Sequence, residues 1–470
     1  MDKTSNNQGV FILFGATGDL SKRRIIPALY ALSFQNKIGN ISIIGIGLED
    51  ALAIDVINAS KPYIDNFDAA HWAAFESRFF YYKMDVTQFT EFYQLKEFVE
   101  SHEKEHAFTG NRLVYLAVHP KFFAPITEQL AQVNLIYTMS TPTDISWCRI
   151  AYEKPFGLDK KSAQEINTNI AQYLQEFQIF RVDHYLAKDI VGTIALLRFT
   201  NCILEPLWNN QHIDWVEIVL SETATMGGRG TFYDACGALK DVVQNHMLQI
   251  VALLAMESPE FLSGEYIREQ KSRILKKIEP LDGFLAQYKG YRQEQGVHRN
   301  SDTETFAALK LLIHTPRWQQ TPFYLRTGKG LNKKETVITI QFKPVTCLLT
   351  THCPSIANYL SIRVMPEPGF SIKLNVKKPG MKIEVVPVEM DFCYECKFSE
   401  IHNNVYQLVL QELFLGEQGI SVRFDEVEHA WEVIDKIKKL SLPLYHYEQG
   451  SSGPEELYEF ARKNNMKWRL

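Results

Sequence analysis

The chain lacks a charge excess of either sign, a long hydrophobic run and a signal sequence. Its 470 residues carry 50 Lys and Arg against 55 Asp and Glu, a formal net charge of −5. This balance gives no reason to expect binding to nucleic acid or to an anionic membrane surface. No stretch reaches the roughly 18 apolar residues of a membrane span. The first ten residues lack the basic start and apolar run of a secretory signal, so we expect a cytoplasmic protein.

The chain also lacks a dense set of cysteines. Its seven cysteines are an odd number spread over a long sequence, unlike the framework of a small disulfide-rich secreted domain. We interpret them as reduced thiols. The spacing of Cys393 and Cys396, considered with His352 and Cys353, fits half of a zinc site. Structural zinc sites usually show two such close pairs, so we predict no metal.

The apolar content is that of an ordinary globular protein, with 46% hydrophobic and 12% aromatic residues. The length allows two or three domains at roughly 150 residues each, and we expect two. Residues 1–182 alternate short apolar runs with segments of helical periodicity. This alternation predicts a doubly wound α/β domain with parallel strands at 9–14, 41–48, 79–83, 112–118 and 149–152.

The pattern changes after residue 182. A helical stretch is followed by the strand-like sequence WVEIVLSE, a glycine-rich loop and an apolar helix. Strand-like segments then follow one another without helices between them, at 337–343, 359–365, 370–376 and 382–388, and the last 70 residues return to helix. Residues 183–470 are therefore predicted to form a larger α+β domain with a mainly antiparallel sheet.

A nucleotide-binding signal lies in FGATGDLSKRRIIP, which follows a predicted strand and opens a helix. Gly15 would allow a tight turn, and Gly18 would let backbone approach a pyrophosphate at the helix amino terminus. As a bare pattern, G-x-x-G fits a pair of turn glycines equally well. At the end of the second strand, Glu49 suits a ribose 2′-hydroxyl, although Glu49 and Asp50 also suit an exposed helix start.

Two further segments carry candidate chemistry. In RVDHYLAKD, a helical conformation would place His184 and Lys188 on one face, as a phosphate-binding pair or as part of a solvated, ion-paired helix. In DVVQNHMLQ, polar residues interrupt an apolar helix. His246 there is either a satisfied core histidine or a general base, and periodicity does not decide between them.

Ten segments taken together resemble the glucose-6-phosphate dehydrogenase family, in order and across nearly the whole chain: GATGDLSKRRIIP, NRLVYLAVHP, AYEKPFG, RVDHYLAKDIV, GGRGTFYD, DVVQNHMLQ, LRTGKGLN, VKKPGM, DEVEHAW and YEQGSSGP. The resemblance implies a Rossmann-type coenzyme domain and a larger α+β domain that forms the oligomer interface. It also implies oxidation of β-D-glucose 6-phosphate at C1 to 6-phosphogluconolactone, the first step of the oxidative pentose phosphate pathway. We expect a homodimer or a dimer of dimers.

The resemblance also implies roles for individual residues. His246 matches the family's general base and Asp183 the carboxylate that orients it, while Lys154 lies between sugar and nicotinamide. The 6-phosphate falls to His184, Tyr185 and Lys188, and the other sugar contacts to Glu222, Asp241, Lys329 and Lys334. The residues predicted to bind the coenzyme are Gly15, Thr17, Gly18, Asp19, Leu20, Lys22, Glu49 and Lys154.

The sequence departs from the family where the coenzyme is selected. Relatives that use NADP typically have an arginine where Leu48 stands, and some have a lysine at the position of Thr17. A guanidinium on a 2′-phosphate contributes roughly 1.5–3 kcal/mol. Lys22 and Arg23 would compensate only in part, so the expected coenzyme is NADP or NAD, with NAD used at least as well.

Two other interpretations fit parts of the sequence. The first is a dehydrogenase of an unphosphorylated sugar, of the glucose–fructose oxidoreductase class, which shares the coenzyme domain and the lysine of the EKP segment. The second is a catalytically inactive nucleotide-binding sensor. The presence of Lys154, Asp183 and His246 together argues against a sensor, because a protein without catalysis would be free to lose them.

Overall fold

The computed structural model describes residues 8–142, 144, 146–345, 357–381, 384–398 and 404–468. The chain divides into two compact units. The first unit comprises Met1–Ala187, Phe261–Arg268 and His402–Glu428, and the second comprises Lys188–Glu260, Glu269–Ile401 and His429–Leu470. Two segments from later in the sequence, Phe261–Arg268 and His402–Glu428, therefore belong to the first unit.

The first unit is built on a parallel sheet. Its strands are β1 (Gly9–Phe14), β2 (Ile41–Gly47), β3 (Phe79–Lys83), β4 (Arg112–Leu116), β5 (Cys148–Tyr152) and β6 (Ile179–Arg181). They lie in the order β3-β2-β1-β4-β5-β6, and each neighbouring pair is parallel. This is the strand order of a doubly wound dinucleotide-binding fold, which confirms the predicted Rossmann-type domain. Every residue of β1, β2, β4 and β5 is buried, as expected for strands covered on both faces.

The α-helices of the described residues are, in chain order, α1 (Ile26–Phe34), α2 (Ala53–Asn58), α3 (Ala69–Glu76), α4 (Phe89–Glu105), α5 (Phe123–Gln132), α6 (Lys160–Ala171), α7 (Asp189–Phe199), α8 (Gly230–Ala238), α9 (Leu248–Ala255), α10 (Gly264–Leu275), α11 (Tyr394–Lys397), α12 (Val405–Leu415), α13 (Phe424–Lys439) and α14 (Glu456–Lys463). π-Helical turns over Ser21–Ile25 and Leu239–Met247 lead directly into α1 and α9. None of these helices has the length and apolar character needed to cross a membrane.

Helix α12 explains why a late segment belongs to the first unit. Its buried residues Val409, Leu410, Leu413 and Phe414 share one apolar cluster with β1 and α1. At its start, the side chain of Asn404 accepts a hydrogen bond from the backbone N–H of Tyr406 and donates one to the carbonyl of Arg24. Burial of this apolar face stabilises α12 in the first unit, although the helix is far from β1 and α1 in the sequence.

The second unit is built on a larger sheet. Its strands are β7 (Ile213–Ser221), β8 (Ile278–Tyr288), β9 (Phe306–Ile313), β10 (Phe323–Gly328), β11 (Glu335–Phe342), β12 (Tyr359–Met365), β13 (Gly369–Lys377), β14 (Val385–Cys393) and β15 (Leu444–Tyr447). The order is β14-β13-β12-β11-β7-β10-β9-β8-β15. Only β7/β10 and β15/β8 pair in parallel among these described strands, which confirms the mainly antiparallel sheet.

Two expectations from the sequence are wrong. RVDHYLAKD is not helical: residues 184–187 form turns, and α7 begins only at Asp189. The cysteines are not all reduced, because Cys393 and Cys396 form a disulfide at the start of the single-turn helix α11. That turn brings their Cα atoms to 5.3 Å, within the range that a disulfide spans. The other residues considered for zinc, His352 and Cys353, lie outside the described residues.

Candidate functional site

The candidate residues of the first unit gather at one edge of its parallel sheet. Gly15–Gly18 follow β1, Glu49 follows β2, Lys154 follows β5 and Asp183 follows β6. The carboxyl ends of parallel strands point to the same edge, and open α/β sheets bind their ligands there. The topology therefore accounts for the grouping of residues that are far apart in sequence.

The glycine turn after β1 has the geometry that a pyrophosphate site requires. Gly15 has a φ of +80°, and a Cβ on it would lie 2.4 Å from the carbonyl oxygen of Ala117. The backbone N–H of Gly18 and the hydroxyl of Ser21 both donate to the carbonyl of Gly15, at 3.0 and 2.8 Å. The turn is closed tightly and leads into the helix that begins with Asp19 and Leu20. These features fit a bound dinucleotide.

The end of β2 presents a prearranged carboxylate. The hydroxyl of Thr17 donates to Glu49 Oε2 at 2.7 Å, and Tyr81 donates to the carbonyl of Glu49 at 2.8 Å. The hydrogen bond from Thr17 is the main reason that the pKa of Glu49 is lowered, so the carboxylate is ionised near neutral pH. The neighbouring Leu48 is 65% exposed. This edge therefore presents an ionised carboxylate next to an exposed apolar side chain.

Basic side chains near this edge have carboxylate partners. Arg23 Nε lies 2.6 Å from Asp19 Oδ1, and Lys22 Nζ lies 4.0 Å from the same oxygen. Lys83 Nζ lies 3.3 Å from Asp50. A 2′-phosphate would have to compete with these carboxylates for each cation.

Asp183 is buried two residues after β6 and shapes the turn that follows. Its Oδ1 accepts from the backbone N–H of Tyr185 at 2.9 Å, and its carbonyl accepts from Leu186 at 3.1 Å. Tyr185 is buried, while His184 is half-buried with its ring 5.1 Å from that of Tyr185. The turn brings the two rings together without the helix that the sequence predicted.

In the second unit, a carboxylate and an ammonium lie side by side at the ends of two parallel strands. Gly328 of β10 is in register with Ser221 of β7, so the residues that follow, Lys329 and Glu222, are neighbours. Lys329 is 5% exposed, and its ammonium forms a very short ion pair with Glu222. The hydroxyl of Tyr447 holds this position by donating to the carbonyl of Lys329 at 2.6 Å. The ends of two neighbouring strands therefore hold the ammonium of Lys329 in a buried position.

Asp241 completes this cluster from the π-helical turn before α9. Its Oδ2 lies 3.9 Å from Lys329 Nζ, which also stands 5.2 Å from the ring centre of Tyr233. The hydroxyl of Tyr233 is buried and has no hydrogen-bond partner among the described residues. One ammonium shared by two carboxylates, beside an unsatisfied hydroxyl, is an arrangement suited to binding a polyhydroxylated ligand.

His246 lies in the same π-helical turn, where it is 3% exposed. The polar residues around it have separate partners: Asn245 donates to the carbonyl of Lys240, and Gln249 accepts from Lys271. Lys334 is exposed just before β11. The structure thus brings Glu222, Asp241 and Lys329 together, and it leaves Lys334 at the surface.

Reasoning from the sequence missed three tyrosines that shape these groups, namely Tyr81, Tyr233 and Tyr447. Tyr81 lies on β3, whose partly buried aromatic run indicates only a strand. Tyr233 lies in GGRGTFYD and Tyr447 begins YEQGSSGP, and both of these segments contribute to the family resemblance. Their place there was the only signal, because no spacing rule connects them to Lys329.

Comparison with known proteins covers both units. Residues 12–192 match the family described as "Glucose-6-phosphate dehydrogenase, NAD binding domain", and residues 195–469 match "Glucose-6-phosphate dehydrogenase, C-terminal domain". The glucose-6-phosphate 1-dehydrogenase of Chlamydia pneumoniae is 35% identical, over 98% of this chain and 96% of the relative. The Bacillus subtilis enzyme of that name is 34% identical, over 100% of this chain and 99% of the relative.

Solved structures agree with this result. A glucose-6-phosphate dehydrogenase in complex with its substrate glucose-6-phosphate superimposes with a TM-score of 0.91 and 31% identity, covering 99% of both chains. The Mycobacterium avium glucose-6-phosphate 1-dehydrogenase has a TM-score of 0.85 and 31% identity, over 98% of this chain and 99% of that one. A levoglucosan dehydrogenase, 9% identical with a TM-score of 0.52 over 92% of this chain and 96% of that one, shares the fold alone.

Proposed function

Because this chain belongs to the glucose-6-phosphate dehydrogenase family, we propose that it oxidises β-D-glucose 6-phosphate at C1 and releases 6-phosphogluconolactone. When bound, a nicotinamide dinucleotide would supply the acceptor for the hydride. The observation that carries the proposal is the match of nearly the whole chain, both domains included, to relatives of that name. The reaction would be the first step of the oxidative pentose phosphate pathway.

We assign the coenzyme to the carboxyl edge of the first sheet. The glycine turn and the helix start would hold its pyrophosphate, and Glu49 would accept from a ribose hydroxyl. Support comes from the positive φ of Gly15, the lack of space for a Cβ there, and the prearranged Glu49 carboxylate. The residues assigned to this role are Gly15, Thr17, Gly18, Asp19, Leu20, Lys22, Glu49 and Lys154.

We assign the proton transfer to His246. Departure of hydride from C1 leaves positive charge on the sugar unless the C1 hydroxyl also loses its proton, so a neutral imidazole is needed as the acceptor. Asp183 would keep that imidazole in the required tautomer and stabilise the imidazolium that forms. Lys154 would donate a hydrogen bond to the C1 oxygen.

The remaining substrate contacts fall into two groups. His184, Tyr185 and Lys188 would hold the 6-phosphate, which supplies binding energy at a distance from C1. Glu222, Asp241, Lys329 and Lys334 would contact the sugar hydroxyls. For three of these four, support comes from the cluster that they form around the buried ammonium of Lys329.

We propose that NAD is used at least as well as NADP. Leu48 is exposed where a cation would be needed, Glu49 is ionised, and Lys22 and Arg23 are paired with Asp19. Steady-state kcat/KM for both coenzymes tests this, and a hundredfold preference for NADP would contradict it. Leu48→Arg should raise kcat/KM for NADP by about tenfold or more and leave that for NAD within a few-fold.

A comparison of glucose 6-phosphate with glucose tests the choice of substrate. The proposal predicts rapid reduction of coenzyme with the phosphorylated sugar and a far lower kcat/KM with glucose. Equal efficiency would favour a dehydrogenase of unphosphorylated sugars and would remove the phosphate roles of His184, Tyr185 and Lys188. No turnover of either sugar, with coenzyme still bound, would favour a nucleotide-binding sensor.

We further propose a cytoplasmic homodimer or dimer of dimers, by analogy with the family. Light scattering coupled to gel filtration tests the assembly. A mass equal to one chain of 54.2 kDa at the concentrations used for assay would contradict it.

A further inference from the structure

Glu153 is a carboxylate buried next to the proposed reaction site. It directly follows β5, precedes Lys154 and is 8% exposed. Burial raises its pKa, while hydrogen bonds and the charge of Lys154 act in the opposite direction. The hydroxyl of Tyr115 donates to Glu153 Oε1 at 2.6 Å, and Tyr406 and the backbone N–H of Lys154 also hydrogen bond to this carboxylate. The Glu153 carboxylate therefore restrains the backbone N–H of Lys154.

The two tyrosines reach Glu153 from separate elements of the first unit. Tyr115 lies on β4 and is in register with Ala151 of β5. Tyr406 is the second residue of α12, and Asn404 fixes it by accepting from its backbone N–H at 3.1 Å. Both tyrosines belong to the apolar cluster of the unit. Packing in this cluster fixes their rings and so fixes the positions of their hydroxyls.

The electrostatics make both phenols lasting donors. Burial raises the pKa of Tyr406, and the charges of Glu153 and Asp183 raise it further. Burial and the charge of Glu153 act in the same way on the pKa of Tyr115. Each hydroxyl therefore keeps its proton over the working pH range. Tyr406 also lies within the electrostatic reach of Asp183, the second proposed catalytic group of this unit.

We propose that Tyr406 is a positioning residue for the reaction, holding Glu153 so that the backbone at Lys154 is fixed and the Lys154 ammonium is presented to the C1 oxygen. Tyr115 donates a hydrogen bond to the same carboxylate. This inference rests on the proposed function, because it gives Lys154 the role assigned there. It gives a role in the reaction to a residue of α12, a helix that otherwise contributes only to the apolar core of the first unit.

The direct test is Tyr406→Phe, with Tyr152→Phe as the matched control. Tyr152 is equally buried, immediately precedes Glu153 and bonds Thr127 instead, at 2.8 Å. We expect Tyr406→Phe to lower kcat roughly tenfold and to change KM for glucose 6-phosphate less than twofold. Tyr152→Phe should lose similar thermal stability but keep kcat within twofold. Equal kcat values in the two variants would overturn the proposal.

A double variant separates positioning from packing. In a Lys154→Ala protein, Tyr406→Phe should cause less than a twofold further loss of kcat, because the group that it positions is gone. A full tenfold further loss would mean that Tyr406 acts elsewhere, and the proposal would be wrong.

A readout that does not depend on turnover distinguishes this proposal from the proposed function. Competitive labelling with acetic anhydride, followed by mass spectrometry, reports the reactivity of the Lys154 amine. We expect the labelling rate of Lys154 to change several-fold in Tyr406→Phe and to stay within twofold in Tyr152→Phe. If the wild type does not oxidise glucose 6-phosphate but this change occurs, the proposed function fails while the coupling of Tyr406 to Lys154 stands. If labelling is unchanged in both variants, the coupling fails.

Discussion

In the first unit the candidate residues follow β1, β2, β5 and β6 of one parallel sheet. In the second unit, Glu222 and Lys329 lie 107 positions apart and directly follow a pair of parallel strands. The first arrangement places groups in loops, where the glycine turn and the acidic end of β2 remain open to a ligand. The second holds a buried ammonium between carboxylates.

The two arrangements suit two different kinds of ligand, a dinucleotide and a sugar. A dinucleotide needs backbone N–H groups and a close approach of the chain, which a loop at a sheet edge supplies. A sugar needs side-chain donors and acceptors held at fixed positions, which strand ends and a helix supply. Coenzyme affinity should therefore depend on backbone geometry in the first unit, and recognition of the sugar hydroxyls on the charges of the second.

The largest expected effect is that of His246→Asn in the second unit. Loss of the proton acceptor should lower kcat by roughly 10²- to 10⁴-fold, while the dissociation constant of glucose 6-phosphate changes little. His102→Asn, which alters a buried histidine of α4 in the first unit, is the control and should keep kcat. Steady-state kinetics and calorimetric titration supply the two readouts, and an active His246→Asn enzyme would refute the assignment.

Next in size is Lys329→Met, which removes the cation shared by Glu222 and Asp241. Breaking such a pair from one side leaves carboxylates uncompensated, and we expect a loss of roughly 2–4 kcal/mol of unfolding free energy, since Glu222 is partly exposed. KM for the sugar should rise and KM for the coenzyme should not. Urea unfolding and kinetics measure both effects. The neighbouring exposed Lys333→Met should lie within about 0.5 kcal/mol of the wild type.

Gly15→Ala probes the backbone of the first unit. A Cβ at a φ of +80° and 2.4 Å from a carbonyl oxygen should cost roughly 1–3 kcal/mol and raise KM for the coenzyme, with KM for the sugar unchanged. Gly192→Ala in α7, where a Cβ meets nothing within 4 Å, should instead stabilise by about 0.5–1 kcal/mol. If Gly15→Ala raised KM for the sugar and for the coenzyme equally, the assignment of the glycine turn to the coenzyme would be wrong.

The smallest effect concerns Glu412 of α12. Burial raises its pKa to about 7, Glu417 adds to this, and Arg268 and the backbone N–H of Ile420 oppose it. The folded chain therefore binds a proton between the ordinary pKa of 4.5 and about 7, and stability contributed by this group falls as pH rises through that interval. Because the Glu412 side chain is only partly buried, solvent screening reduces the linkage effect, and Glu412→Gln should gain roughly 1 kcal/mol relative to the wild type between about pH 5 and pH 8. Parallel unfolding curves at each pH would contradict this.

The fold of the first unit was predictable because its covered strands are apolar runs such as β1. In the second unit, β8 and β9 were not predicted as strands. Pro280 and Gly283 interrupt β8, and its register with β9 shifts between Pro280 and Asp282, so the alternation is broken. Strand β15 has only four residues and gains its place by pairing with β8.

The site was predictable from family resemblance more than from spacing. The glycine turn can be recognised locally because one backbone segment makes it. The bond from Thr17 to Glu49, the pairing of Lys329 with Glu222, and the hydroxyls of Tyr115 and Tyr406 on Glu153 join elements that meet only after folding. The turn at Asp183 was misjudged because the side chain bonds the backbone of Tyr185, which competes with a helix start.

Transfer of hydrogen from C1 is the central claim, and glucose 6-phosphate deuterated at C1 tests it most directly. Mass spectrometry of the products after one turnover should find the deuterium in the reduced coenzyme and the sugar as its lactone or hydrolysed acid. Deuterium retained on the sugar, or no reduced coenzyme at all, would contradict the account.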